Sequence, residues 1–299
     1  MQPTGEQLEQ IRKVCVIPQK QDGIYAIRIR SVAGDIPVKH LEAIAKVAGR
    51  YGTGTVHVTT RQGMEIHGVA EEQVEAALLE LLQNGVNLGA RGPRVRTITA
   101  CPGAVTCGNG IIDTKELSRE LDRRYFGKDY GKFKVAVSGC PNSCTKPLEN
   151  DAGIMGAVRP HWNQANCGDC GICIDACPAG AIGSDGAGVY TRDAGRCLYC
   201  GTCIRECPQQ AWEAGQKGFF LYLGGTMGKR PRLGTRVGGL LQSREELFRY
   251  LDRTLEFFKQ HGKKGERFGH MLDRLGVERV LESIEKESKR SRIPPPAPR

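Results

Sequence analysis

The 299-residue sequence has no run of about 18 apolar residues, the length that a membrane-spanning helix requires. Residues 1–13 are polar and charged and lack the apolar core of a secretory signal, so we expect a cytoplasmic protein with no membrane span. No G-x-G-x-x-G follows a strand and opens a helix, so no nicotinamide or flavin site is expected. The ordinary globular composition excludes collagen-like, coiled-coil and wholly disordered chains.

Two properties stand out, namely 13 cysteines and a formal net charge of +10. Taken alone, this charge suggests an anionic partner such as nucleic acid, a phosphate-rich substrate or a membrane surface. The lysines and arginines are scattered rather than clustered, however. We therefore expect no nucleic-acid partner.

Eight cysteines form two copies of the spacing C-x2-C-x2-C-x3-C-P, typical of bacterial two-cluster ferredoxins. In such a pair, three cysteines of one copy hold a cubane and the fourth holds the other cubane. The spacing predicts one 4Fe–4S cluster on Cys167, Cys170, Cys173 and Cys207, and another on Cys197, Cys200, Cys203 and Cys177. Disulfide scaffolds suit small secreted chains, and zinc sites use separated C-x2-C pairs, so both alternatives fit this pattern poorly.

The other cysteines include two further pairs, Cys101-x5-Cys107 and Cys140-x3-Cys144. Together they could make a third site with four cysteine ligands. Cys15 is then left over, and we interpret it as a buried, unreactive thiol.

At these residues the chain resembles the siroheme-dependent sulfite and nitrite reductases, in which C-x5-C and C-x3-C hold a 4Fe–4S cluster coupled to siroheme. Further segments match in order: TTRQ at 59–62, EIHG at 65–68, Arg96 five residues before Cys101, and GKFK at 131–134. Thr97 stands where the family often has asparagine. The likeness covers about residues 24–275 and is greatest to small anaerobic sulfite reductase subunits with an inserted two-cluster ferredoxin domain.

The resemblance implies siroheme and three 4Fe–4S clusters, with the Cys144 thiolate bridging one cluster to the siroheme iron. Because sulfite and nitrite are anions, fixed cations should lie near the iron; the catalytic candidates are Arg61, Arg96, Lys132 and Lys134. The cofactor-binding candidates are Cys144, Arg61, Gln62, Arg94, Arg96, Lys229 and Arg230. The last two belong to GTMGKRPRLGTR, which departs from a P-loop and is interpreted as a basic loop for cofactor carboxylates.

The implied activity is the six-electron reduction of sulfite to sulfide. Electrons would come from a ferredoxin or a flavin/iron–sulfur reductase through the two ferredoxin-type clusters. Nitrite reduction and a purely electron-transferring subunit remain open. Larger family members carry two repeats and this chain one, so a homo- or hetero-oligomer could complete the site. The basic composition then serves as counter-charge for an anionic cofactor and substrate.

The periodicity predicts an α+β fold. Its first part has the ferredoxin-like βαββαβ order, from a strand at 24–30, a helix at 36–52, a hairpin at 55–69, a helix at 71–85 and a last strand at 87–92. Later, Asp113 and Ser243 are predicted to cap helices that end near Phe126 and His261. The predicted domains are 1–90, ferredoxin-like; 91–161 with 216–290, siroheme and cluster binding; 162–215, the inserted ferredoxin; and 291–299, a disordered tail.

Overall fold

The N-terminal part of the protein is a four-stranded antiparallel sheet with helices packed on it. The computed structural model describes residues 3–290, so the predicted tail lies outside the described residues. In chain order the elements are α1 (Gly5–Cys15), β1 (Val16–Pro18), β2 (Ile24–Arg30), α2 (Val38–Tyr51), β3 (Val56–Val58), β4 (Gly63–Ala70) and α3 (Val74–Gln83), with strand order β1-β2-β4-β3. Ile27 and Ile29 of β2 are buried under the helices, so the alternating Arg28 and Arg30 lie on the other face.

Most of the predicted first part is confirmed, since β2, the hairpin of β3 and β4, and both helices are present. The last predicted strand is wrong: only one antiparallel bridge forms there, between Ile29 and Leu88. The reason is that β1, which the sequence analysis missed together with α1, pairs along the same edge of β2, from Tyr25 to Ile27. That pairing leaves only the end of the edge for residues 87–89.

The second part is built on a mixed sheet whose first three strands are parallel. It starts with β5 (Thr99–Ala100), α4 (Thr114–Tyr125), β6 (Val135–Ser138) and β7 (Ala152–Trp162). β6 pairs in parallel with both β5 and β7. Asp113 caps α4 by accepting from the amides of Lys115 and Glu116, as the sequence predicts.

A small unit follows at the far end of β7. It contains α5 (Ile172–Asp175), β8 (Ile182–Ser184), β9 (Tyr190–Arg192) and α6 (Thr202–Glu206). Gly171 and Gly201, with φ of +71° and +70°, make the turns into the two short helices. Trp162 pairs with Trp212 where the chain leaves and rejoins the main sheet, so residues 163–211 are one excursion between two paired strands.

The chain returns as β10 (Trp212–Leu223), β11 (Thr235–Leu241), α7 (Arg244–His261), α8 (Phe268–Leu275) and α9 (Val277–Arg290). The five-stranded sheet has the order β11-β10-β7-β6-β5. β10 starts before residue 216, where the predicted domain resumes, and β11 was not predicted. Aromatic contacts between Phe133, Phe258 and Phe268, with ring centroids 5.6–6.1 Å apart, join the helices to the sheet. Among residues 3–290, no helix is long and apolar enough to cross a membrane.

Candidate cofactor and substrate site

Two cysteine pairs meet at one edge of the second sheet. Because β5 and β6 are parallel, the residues after their carboxyl ends, including Cys101 and Cys140, emerge on the same side. The amide of Gly139 donates to the Sγ of Cys101 at 3.0 Å. Burial raises the pKa of Cys140, and the nearby thiols of Cys101, Cys144 and Cys107 add to the rise. The structure therefore brings these cysteines together, two of them buried and two exposed.

The loop between Cys101 and Cys107 is tightly folded. The Thr114 hydroxyl donates to the carbonyl of Cys101 at 2.6 Å, and the Cys107 amide donates to the carbonyl of Gly103 at 2.8 Å. A Cβ at Gly110 would lie 2.4 Å from the backbone nitrogen of Ala104, so no larger residue fits there without moving the loop. This packing fixes the spacing of the two thiols.

The other eight cysteines line two separate pockets in the 163–211 unit. One pocket contains Cys167, Cys170, Cys173 and Cys207, and the other contains Cys177, Cys197, Cys200 and Cys203. The pKa of Cys203 is raised to about 12 by burial and by the thiols of its own set. These are the two sets that the spacing predicts, with the fourth cysteine exchanged between the copies.

The donor chemistry of all three sets fits iron–sulfur clusters. In residues 3–290, no three His, Cys, Asp or Glu side chains converge closely enough to hold a single metal ion. A four-iron cluster takes one thiolate per iron and is stabilised by hydrogen bonds to sulfur. Such bonds are present, since the amides of Ala181 and Ala211 donate to Cys177 and Cys207 at 3.3 and 3.2 Å. The remaining Cys15 is buried and donates to the carbonyl of Ile11, as a buried thiol would.

The four predicted catalytic cations line one cavity of about 440 Å³ between the two parts of the protein. They are Arg61, Arg96, Lys132 and Lys134. Two further cavities, of about 680 and 630 Å³, share Arg96 and Lys132 with it, and Arg94 lines the second of these. Each volume is within the usual range for a small-molecule site, so together the three cavities offer room for a large, anionic ligand.

Arg61 is held mainly by the protein. Its guanidinium donates to the carbonyls of Thr97 and Val135 and to the side-chain oxygen of Asn150, which uses four of its five N–H groups. Burial is the main cause that lowers its pKa to about 10. Arg61 therefore contributes a fixed positive charge, with little hydrogen-bonding capacity left for a ligand.

Arg96 keeps more of its donors free. Two nitrogens donate to the carbonyls of Ala90 and Gly92, both at 2.9 Å, while the Nε is buried without a partner in the part of the chain that the structure describes. Burial, reinforced by Arg28 and Arg267, lowers its pKa to about 10. A buried donor without a partner costs free energy, so this guanidinium is suited to an anion bound in the cavity.

Lys132 and Lys134 are two residues apart and both line the cavity, as extended backbone allows. Burial and the cations around it, led by Arg61 and Arg267, lower the pKa of Lys134 to about 8. The pKa of Lys132 is lowered for the same reasons, with Arg96 and Arg267 as its main cationic neighbours. Ammonium groups whose pKa is lowered in this way can donate protons as well as bind an anion.

A buried ion pair that the sequence analysis missed holds this group of cations. Asp151 is fully buried and accepts from the Nη2 of Arg267 at 2.6 Å and from the Lys134 amide at 2.8 Å. Arg267 is near enough to lower the pKa of Arg61, Arg96 and Lys134. Arg267 comes from the start of α8, 116 positions from Asp151, so no local pattern could have revealed it.

Arg28 is a second cation that was missed. It lines two of the cavities and donates to Glu65 at 2.6 Å. The alternation of β2 places it on the polar face of the strand, opposite the buried isoleucines. That alternation was the available signal.

Hydrogen bonds connect the cation cavity to the Cys144 loop. Asn150 accepts from Arg61 through its Oδ1 at 2.8 Å and donates through its Nδ2 to the carbonyl of Lys146 at 2.9 Å. Lys146 is two residues beyond Cys144 and has a left-handed φ of +51°. The Asn150 side chain therefore joins the cysteine loop to Arg61.

Three predicted cofactor-binding residues lie elsewhere. The Gln62 amide donates to the carbonyl of Ala100 and accepts from its amide, both at 2.8 Å, so it holds the strand before Cys101. Lys229 and Arg230 are exposed on the loop between β10 and β11 and line none of the three cavities. This loop instead packs on residues 148–150, where a Cβ at Gly225 would lie 2.1 Å from the Leu148 carbonyl oxygen.

The fold and the cysteine sets define an iron–sulfur oxidoreductase. Models of two protein domains match the chain, namely the nitrite and sulphite reductase 4Fe-4S domain over residues 91–292 and the nitrite/sulfite reductase ferredoxin-like half domain over residues 17–84. The chain therefore belongs to the nitrite and sulfite reductase family, which confirms the resemblance and the α+β fold. The limits of the inserted segment stay predictions.

Individual relatives agree with this assignment. The chain is 34% identical over 278 residues to the coenzyme F420-dependent sulfite reductase of Methanocaldococcus jannaschii, covering 92% of this chain and 44% of that protein. It is 29% identical over 178 residues to a subunit of the anaerobic sulfite reductase of Salmonella typhimurium, covering 55% and 52%. It thus spans about half the length of these relatives. The crystal structure of dissimilatory sulfite reductase I has the same fold, with a TM-score of 0.72, 21% identity and coverage of 91% and 72%.

Proposed function

We propose that this chain is a siroheme-dependent sulfite reductase that reduces sulfite to sulfide. One observation carries the proposal: Arg61, Arg96, Lys132 and Lys134 converge on one cavity. The nearby carboxylates of Asp151 and Glu65 are already paired with Arg267 and Arg28. An excess of fixed positive charge is what an oxyanion and a cofactor rich in carboxylates require.

The residues around the cavities are suited to siroheme. Arg94 and Arg96 would hold its carboxylates, and Arg96 offers a buried Nε that has no partner among the described residues. Cys144 would help to hold both the siroheme and the cluster on Cys101, Cys107 and Cys140. When bound, siroheme supplies an iron that binds the oxyanion and receives electrons one at a time.

The chain's own residues then have different roles, which depend on the N–H groups that each has left for a ligand. Arg96, with free N–H groups, binds and orients the anion. Lys134 donates protons, because its pKa of about 8 leaves it charged at neutral pH and still able to release its proton. Lys132, whose pKa is also lowered, is the second proton donor. Arg61 keeps a fixed charge in place. Hydrogensulfite consumes six electrons and six protons and gives hydrosulfide and three waters, so repeated proton delivery is essential.

We further propose that the two cysteine sets of residues 163–211 hold 4Fe–4S clusters that relay electrons to this centre. A separate ferredoxin or flavin/iron–sulfur reductase would supply them. A relative named as a subunit supports assembly with other chains. The Asn150 link between Arg61 and the Cys144 loop would keep the cations aligned with the coupled centre.

An iron count and visible spectrum of anaerobically purified protein test the proposal. We expect siroheme bands and about 13 irons per chain, from three four-iron clusters and one macrocycle iron. About eight irons without macrocycle bands would mean a purely electron-transferring subunit. Turnover with reduced viologen should be faster with sulfite than with nitrite, and the reverse would assign the chain to nitrite reduction.

The bridging role of Cys144 has its own test. Cys144→Ser should lose the siroheme bands and retain the eight irons of the two ferredoxin-type clusters. Cys15→Ser is the matched control and should keep both, because Cys15 lies far from the cysteine sets in the core of the first part. Siroheme bands and full activity in Cys144→Ser would contradict the role.

A further inference from the structure

The two cysteine sets of residues 163–211 lie in surroundings of opposite charge. We name Cys177, Cys197, Cys200 and Cys203 the inner set, and Cys167, Cys170, Cys173 and Cys207 the outer set. Residues 163–191 contain three carboxylates, those of Asp169, Asp175 and Asp185, and neither lysine nor arginine. Residues 192–211 contain three arginines, at 192, 196 and 205, against Asp193 and Glu206.

The inner set is the one nearer the body of the protein. Tyr199, which lies between two of its cysteines, accepts from the Val158 amide of β7 at 3.0 Å and packs its ring edge-on against Phe220, with centroids 5.1 Å apart. The outer set lies beside Trp212, at the end of the strand pair. Val158 and Trp162 are four residues apart on β7, so the outer set is about 13 Å further along the strand.

All three arginines are tied to the loops of the inner set. Arg192 lines the inner pocket, and its guanidinium lies 5.2 Å from the Tyr199 ring centroid. Its Nη1 is buried and has no hydrogen-bond partner among residues 3–290. Arg205 donates to the carbonyl of Cys200 at 3.1 Å, and Arg196 donates to the carbonyl of Ala179, two residues after Cys177, at 3.0 Å. The inner pocket is therefore the more positive of the two.

The carboxylates near each set reinforce this difference. Asp169 is adjacent to Cys170 in the outer set and accepts from the Tyr190 hydroxyl at 2.8 Å. Asp193, by contrast, accepts from the amides of Gly195 and Arg196. Among residues 3–290, the inner thiols accept from two amides and face the Thr202 hydroxyl. The outer thiols accept from one amide, and Cys173 lies beside the Trp212 side chain. Positive charge and hydrogen bonds to sulfur both favour the reduced state of a cluster.

We propose that Arg192 raises the reduction potential of the inner cluster above that of the outer cluster, and so directs electrons toward the body of the protein. The inference rests on the proposed function, because it requires both clusters. In the step concerned, the outer cluster loses one electron and passes from the 1+ to the 2+ state, and the inner cluster accepts that electron and passes from 2+ to 1+. No proton or bond changes place. The donor protein then returns an electron to the outer cluster.

An EPR-monitored redox titration of the intact holoprotein tests the proposal independently of turnover. Arg192→Gln removes the charge and should lower one cluster midpoint, changing the equilibrium electron ratio between the two clusters by about tenfold, or about 59 mV for a one-electron couple. Arg192→Lys should retain most of the wild-type midpoint. Asp169→Asn should raise the other midpoint. Arg279→Gln, an exposed position on α9, is the control and should shift neither.

The outcomes separate the inference from the proposed function. Unchanged midpoints in Arg192→Gln, or a shift of the same midpoint by Arg192→Gln and Asp169→Asn, would overturn the role of Arg192. If Arg192→Gln fails to retain its clusters, the exposed Arg205→Gln replaces it and should lower the same midpoint by a smaller amount; no shift there overturns the proposal. A wild-type protein that lacks the two cluster signals would instead reject the proposed function.

Discussion

Removing the Asp151 carboxylate should strongly destabilise the protein. Asp151 is fully buried, and its partner Arg267 keeps only 11% of its side chain exposed. Asp151→Asn preserves an acceptor for the Lys134 amide but leaves the Arg267 charge without a counter-ion beside Arg61, Arg96 and Lys134. Breaking a buried ion pair in this way costs about 3–5 kcal/mol. At about 2–4 °C per kcal/mol, the lower figure is a fall of about 6–12 °C in Tm.

The measurement is the Tm of anaerobically prepared holoprotein. Asp273→Asn is the matched control, because Asp273 pairs with Arg232 while 52% of its side chain is exposed, and such surface pairs contribute at most about 1 kcal/mol. Adding Arg267→Met to Asp151→Asn should restore much of the loss, since both buried charges are then gone. Equal Tm changes in the two Asn variants, or no recovery in the double variant, would refute the electrostatic argument.

Two further changes have defined outcomes. The pKa of Lys134 is lowered from 10.5 to about 8, so its ammonium proton is lost as pH rises through about 8. kcat/KM for sulfite should fall in this pH range, and Lys134→Arg should lack that fall. The same fall in both proteins would assign the titration to another group. Because the unfolded chain holds this proton more tightly, Lys134 should also make stability rise with pH between about 8 and 10.5. Gly110→Ala should lose the four irons of the Cys101 set, since its Cβ meets the Ala104 backbone at 2.4 Å. Gly108→Ala is the control and should keep these irons, because a Cβ at Gly108 meets no atom of the described residues within 4 Å. Equal iron counts in the two variants would contradict this prediction.

The βαββαβ prediction shows where local pattern is sufficient. The alternation of β2 and the amphipathic pattern of α2 are determined by nearest neighbours in the chain, and both elements form as predicted. The last strand fails because its edge of β2 is shared with β1. Competition for a sheet edge is a tertiary property, and no periodicity within residues 87–92 reports it.

The spacing of the cysteines predicted their grouping because the distance between ligands on one loop is a local property of the sequence. Two copies of one run are enough to predict the exchanged grouping of Cys177 and Cys207, and the structure forms the same two sets. The cations depend on more than their own positions. The sequence alone places Arg61, Arg96, Lys132 and Lys134 in a family pattern. It does not reveal the hydrogen bonds that occupy most N–H groups of Arg61 and leave more of those of Arg96 free.

Those distinctions come from residues distant in the chain. Asn150 and Thr97 take up the donors of Arg61, and Arg267 and Asp151 set the charge around Lys134. The sequence by itself determined which side chains can ligate iron, because the spacing of cysteines along a loop determines which thiolates can reach the same cluster. Only the tertiary structure decided which cations remain available to an anion, because hydrogen bonding and burial depend on which strands and helices pack together.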